Sequence, residues 1–118
     1  MTVLLVLLGG AVGAPARYLT DLIVQSRHDS RLPWGTFTVN MFGSFVLGLV
    51  AGAAPSAWLS TLVGTGFCGG LTTFSTFSYE TVRLADGGAT RTAVANVVLS
   101  LLAGIGACAV GWWVGAAA

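Results

Sequence analysis

Charge is nearly absent from this chain. Of its 118 residues only 8% are Asp, Glu, Lys or Arg, against about a quarter in a typical soluble domain. All five basic residues are arginine, and lysine does not occur. A basic face for nucleic acid and an acidic tail are therefore both excluded. The single histidine, His28, stands beside Arg27, Asp29 and Arg31 in a short polar stretch, away from any nucleophile that it might serve as base. No cluster of His, Cys and carboxylate has the spacing of a transition-metal site. The two cysteines, Cys68 and Cys108, lie in apolar runs, which suits packing thiols rather than an extracellular disulfide framework. Phosphate-cradling fingerprints are missing too, because Gly64, Gly66, Gly69 and Gly70 fit neither glycine spacing and follow no soluble strand. With no catalytic constellation left, the chain reads as a non-enzyme.

What remains is apolar: 55% of the residues are hydrophobic. A transmembrane helix needs about 20 largely apolar residues, and such stretches fill the chain at about 2–24, 33–54, 58–84 and 91–115. The expected fold is all-α: one polytopic domain over residues 1–118, with four transmembrane helices and the third broken near its middle. Residues 1–9 hold no basic side chain and the apolar run continues towards Val24, so the first segment reads as a retained span rather than a cleaved signal.

Each span carries a stripe of small and polar residues, the pattern of faces turned towards protein rather than lipid. In the first these are Gly9, Gly10, Gly13, Arg17 and Asp21, with an Arg17–Asp21 ion pair expected from the spacing of four and with Pro15 expected to kink or loosen the helix. In the second they are Thr36, Asn40, Gly43, Ser44 and Gly48, after Pro33 and an interfacial Trp34. In the fourth they are Thr92, Asn96, Ser100, Gly104 and Cys108, ahead of a Trp112–Trp113 belt. An amide at membrane depth such as Asn40 serves either an interhelical hydrogen bond or a ligand, and both readings stay open.

The most unusual stretch is residues 64–80, GTGFCGGLTTFSTFSYE. Glycine has the most backbone entropy to lose in a helix, so the first half is poor helix material, and irregular backbone at membrane depth is tolerated only where protein or a wet cavity satisfies it. A helix is expected to resume near Thr72. A helical wheel then sets Phe74, Phe77 and Thr81 on one side and Thr72, Ser75, Thr76, Tyr79, Glu80 and Arg83 on the other. Aromatic ring edges carry the positive end of the quadrupole, and hydroxyl and amide protons can replace lost water, so this inventory suits a small anion. Carbonyls freed at a break would suit a hard monovalent cation. Four short helices enclose little, so a pore and a cation site would both need a second subunit.

The segments GGAVGAPARY (9–18), GTFTVNMFGSFVLG (35–48), GTGFCGGLTTFSTFSYE (64–80) and NVVLSLLAG (96–104) resemble the motifs of the CrcB/Fluc family of fluoride channels. The resemblance covers all four spans in order. It implies a dimer, either of identical chains or with a paired homologue, whose subunits insert antiparallel in the lipid of a prokaryotic plasma (inner) membrane. Two fluoride pores at the subunit interface would export fluoride passively and prevent its toxicity. By matching position, Phe74 and Phe77 are similar to the phenylalanines that contact fluoride, and Asn40 to the pore asparagine. Ser75, Thr76, Ser78, Asn96 and Ser100 resemble the polar track, and Arg17 the vestibule arginine. Gly69 and Thr72 correspond to residues whose backbone carbonyls hold a central structural sodium ion.

Arg27, Arg31, Arg83 and Arg91 all flank loops at one end, while the turn at residues 52–56 has no basic side chain. Basic loops stay cytoplasmic, so this bias implies one fixed orientation, with both termini outside, and favours half of a two-gene heterodimer. Two readings of other classes compete. A proton-coupled multidrug exporter would need a carboxylate embedded in its first helix, for which Asp21 is the candidate. A non-transporting accessory subunit would need only the small-residue stripes and leaves residues 64–80 unexplained.

Overall fold

The computed structural model describes residues 2–27, 33–72 and 74–117, apart from the side chains of Gln25, Arg27, Phe74 and Ser75. His28, Asp29 and Arg31 of the first polar loop, and Thr73, lie outside the described residues. The chain is all-helical, with no strand among the described residues. It comprises α1 (Thr2–Arg27), α2 (Trp34–Ala53), α3 (Ala57–Leu59), a π-helical segment (Ser60–Cys68), α4 (Gly69–Leu71), α5 (Phe74–Asp86) and α6 (Thr90–Ala117). Among the described residues three stretches are long and apolar enough to cross a membrane: Thr2–Val24, Trp34–Ala53 and Thr90–Ala117.

Local chemistry explains the boundaries. Pro33, whose fixed φ suits a helix start, accepts the first bond of α2 from Phe37 N–H at 3.0 Å. That helix ends where Ala54 turns left-handed at φ 47°, with Pro55 unable to continue it. Helical geometry continues through Pro15 in α1 despite its missing donor.

Glycine placement sets the packing. The largest interface lies between α2 and α6, and α1 packs on the π-helical segment and α4. A Cβ on Gly48 or Gly52 would collide with the carbonyl oxygens of Cys108 and Trp112; one on Gly111 or Gly115 would collide with those of Phe45 and Leu49. The same happens between α1 and the third helical run, formed by α3, the π-helical segment and α4 (Ala57–Leu71), where a Cβ on Gly9 or Gly13 would strike the carbonyls of Leu62 and Phe67. Their counterparts Gly66 and Gly70 leave a Cβ only 3.0 Å from the α-carbons of Gly9 and Gly10. Both seams are small-xxx-small pairs of the kind that bring membrane helices to backbone contact. Residue numbers rise together along each seam, so α1 runs parallel to the third run and α2 parallel to α6.

These glycines, expected to weaken the helix, are all helical. Gly69 itself has φ −64° and ψ −36°, and the backbone becomes extended only at Thr72, with φ −81° and ψ 158°. The outward faces are apolar, with Val3, Leu7, Leu102 and Ile105 each at least 64% exposed. The buried apolar core is small, formed by residues such as Val39, Leu71 and Ala93.

Gly111→Val should force the Phe45 carbonyl away and lower stability by about 1–3 kcal/mol or more, whereas Gly106→Ala, whose added Cβ meets nothing within 4 Å, should be neutral or mildly stabilising. Thermal unfolding of both variants in detergent micelles measures the contrast.

Candidate functional site

Between α2, the third helical run and α6 lies a groove of about 550 Å³, open on one side. Asn40 and Ser44 enter it from α2, Cys68, Gly69 and Thr72 from the third run, Phe77 from α5, and Ser100 and Gly104 from α6. Among the residues singled out in the sequence, it gathers Asn40, Phe77, Ser100, Gly69 and Thr72. Thr76 and Ser78 are half-buried away from its lining, and Arg17 is half-buried on α1. Phe74 and Ser75 have helical backbone, but their side chains lie outside the described residues.

Thr72 makes the floor. Its N–H and its Oγ1 both donate to the Cys68 carbonyl, at 2.9 and 2.8 Å. A helix that stops at Leu71 has no following turn to supply donors to its last carbonyls. Room for the Thr72 methyl comes from Gly43, where a Cβ would collide with it. Gly69 is exposed and a Cβ there would meet nothing within 4 Å, so the groove is bare at this point.

Behind the groove the polar side chains pair across helices. Thr36 Oγ1 donates to Glu80 Oε1 at 2.6 Å, joining α2 to α5. Asn96, only 2% exposed, donates from Nδ2 to Thr81 Oγ1 at 2.8 Å, and Thr81 Oγ1 donates to the Phe77 carbonyl at 2.8 Å. Ser100 Oγ lies 3.5 Å from Asn96 Oδ1.

The expected Arg17–Asp21 ion pair does not form among the described residues. Asp21 instead turns towards α2, where the missing Cβ of Gly35 admits its Oδ1, which is buried without a hydrogen-bond partner. Reasoning from sequence also missed the Thr36–Glu80 bond and the part played by Thr81. The helical wheel sets Thr81 on the same side as Phe77, which is the available signal. Thr65 and Met41 line the groove as well; both lie within the motifs at 64–80 and 35–48, where neither was given a role.

An all-helical chain with apolar outer faces, glycine seams and a polar groove between its helices is a helical integral membrane protein. Residues 4–112 match the family described as CrcB-like protein, Camphor Resistance (CrcB), and the chain belongs to that family. It is similar to the protein named Fluoride-specific ion channel FluC 1 of Frankia casuarinae, 59% identical over 120 residues that cover 94% of this chain and 93% of that protein. The FluC 1 of Streptomyces avermitilis is 55% identical, with 96% and 94% covered. The Fluoride-specific ion channel FluC 2 of Rhodococcus jostii is 49% identical, with 95% and 96% covered.

Thr36 is 3% exposed, so Thr36→Val strands the Glu80 carboxyl without its donor and should lower stability by about 1–3 kcal/mol. Thr36→Ser should keep the bond and most of the stability. Unfolding in micelles compares the two.

Proposed function

We propose that this chain is a subunit of a fluoride-selective channel in a prokaryotic plasma membrane, giving passive fluoride export and resistance to fluoride toxicity. The observation that carries this reading is the groove. Phe77, Asn40 and Ser100 all line it, beside the extended Thr72, in a chain 59% identical to a protein named as a fluoride-specific channel. Fluoride is small and strongly hydrated, so a path for it must return hydrogen bonds as water leaves. The amide and hydroxyl supply donors, and the positive ring edge adds attraction without a fixed charge that would trap the ion. Phe74, Ser75, Thr76 and Ser78 on the same helix, and Arg17 on α1, complete the proposed path and its vestibule.

A groove open on one side calls for a second wall, which we assign to an antiparallel partner chain, identical or homologous. The third crossing is then composite, running from Ala57 to Asp86 through the extended Thr72, and makes four passes with the long helices. A structural sodium ion fits at the Gly69–Thr72 floor. Carbonyl oxygens are the ligands a hard cation takes, and no Cβ at Gly69 screens them. Oxygens from one chain are too few for such an ion, so the partner would supply the rest. The ion's charge would fix the broken backbone of both subunits and add positive potential near the anion path.

Arg83 and Arg91 are both exposed at the end where α1 and α5 finish, opposite the turn at residues 54–56. That bias favours loops held in the cytoplasm and a partner inserted the other way. A proton-coupled exporter would need Asp21 to face its cargo, but Asp21 packs against Gly35 away from the groove lining.

Protein reconstituted in liposomes should release fluoride, read with a fluoride electrode, and retain chloride under the same gradient. Phe77→Ile, which removes the ring edge, should slow release by about tenfold, equivalent to about 1.4 kcal/mol. Equal release of both halides, or none of either, would defeat the channel reading.

A further inference from the structure

A hydrogen-bond relay links two groove-lining residues from behind. Ser100 stands at one end and Phe77 at the other, on different helices, with Asn96 and Thr81 between them. The chemistry of the hydroxyls fixes its direction. Thr81 has a single proton, and it is engaged by the Phe77 carbonyl at 2.8 Å, so its oxygen can only accept from Asn96. The Asn96 amide is thereby oriented with Nδ2 towards Thr81 and Oδ1 towards Ser100.

Resting on the channel reading above, we propose that Asn96 is a positioning residue: it holds the Ser100 hydroxyl ready for an anion and ties the Phe77 turn of α5 to α6, without itself touching the anion. Its burial supports this, since 2% exposure leaves no surface for a groove ligand, and it is not part of the groove lining. The lengths along the relay support it too. The inner bonds are 2.8 Å, whereas the Ser100 bond is 3.5 Å, at the outer limit of hydrogen bonding and weak. A serine in a helix otherwise bonds back to the carbonyl one turn earlier, which would hold its proton more firmly. A long bond to Asn96 Oδ1 gives that proton an alternative from which an anion in the groove can take it at little cost. Thr81 matters because it stops the amide from turning its NH2 towards Ser100.

The test uses the full chain, with fluoride release from liposomes and the Asn96 side-chain amide resonance in ¹⁵N-labelled protein in micelles as separate readouts. Thr81→Val and Asn96→Leu should each slow fluoride release by roughly five- to tenfold, the scale set by one buried hydrogen bond left unmade. The double variant should be no slower than either alone. Thr81→Ser, which keeps the hydroxyl, should rescue the rate and leave the Asn96 amide resonance in place, whereas Thr81→Val should shift it. If Asn96→Leu slows release far more than Thr81→Val and the two effects multiply, Asn96 meets the anion directly and the positioning role is overturned. An amide resonance indifferent to Thr81→Val would overturn the relay while fluoride release by the unaltered protein left the channel reading standing. Unaltered protein that releases no fluoride would instead overturn the channel reading, and the role given to Asn96 with it.

Discussion

Where the carbonyls of Phe45, Leu49, Cys108 and Trp112 meet the facing helix, only a glycine leaves them room, and the carbonyls of Leu62 and Phe67 depend on α1 in the same way. Between helices in lipid there is no hydrophobic gain, because the tails are as apolar as leucine, so association rests on dispersion and on weak contacts such as Cα–H to carbonyl oxygen. Both strengthen only at close approach. The two seams provide it and fix which helices pair: α1 with the π-helical segment and α4, and α2 with α6. Two parallel pairs locked at backbone distance then leave a groove along the line where they adjoin. Its shape is therefore set by rigid contacts rather than by long side chains.

Polar side chains follow from that close packing. Several hydroxyls bond back to their own helices: Thr38 to the Trp34 carbonyl at 2.7 Å, Thr61 to Ala57 at 3.0 Å, and Thr72 to Cys68 at 2.8 Å. Others bridge helices, as Thr36 does to Glu80. Each such bond removes a proton from the set that the proposed anion path could use. A count of Ser, Thr and Asn residues in the spans thus overstates the groove's donors, and the position of each proton matters more than the number of polar residues.

Much of this was legible in the chain itself. Stripes of small and polar residues, with Gly9, Gly13 and Gly48 among them, predicted faces in contact with protein, and the second and fourth stretches did show Asn40 and Ser100 on stripes that meet in the groove. Family membership was legible in the third-span motif. Harder to read were the partners of α5. A helical wheel grouped Tyr79 and Glu80 on one side, yet Tyr79 is 65% exposed while Glu80 reaches Thr36, 44 residues away in sequence. Periodicity gives the direction of a side chain about its own axis and says nothing of which neighbour stands there. Asp21 shows the same limit: spacing of four suggested Arg17, but the carboxyl turned to the space left at Gly35.

The position of the break is the clearest case of two glycine properties competing. Read by propensity, Gly64, Gly66, Gly69 and Gly70 should loosen the backbone, since each costs about 1 kcal/mol relative to alanine within a helix. Yet the chain stays helical through all of them, widened to a π-helix over Ser60–Cys68, and becomes extended only at Thr72. In hydrocarbon an unbonded peptide group costs several kcal/mol, more than the glycine penalty, so helical bonding is kept wherever the fold allows it. Gly66 and Gly70 then serve contact with α1, while Gly69, in ordinary helical geometry, serves bareness. Its exposed α-carbon leaves the groove floor bare, a task that needs the absence of a side chain and no conformational freedom at all. The helix ends at Thr72, where ψ opens to 158° while its N–H and hydroxyl still engage the Cys68 carbonyl, so the chain leaves its helical path without leaving that oxygen unbonded.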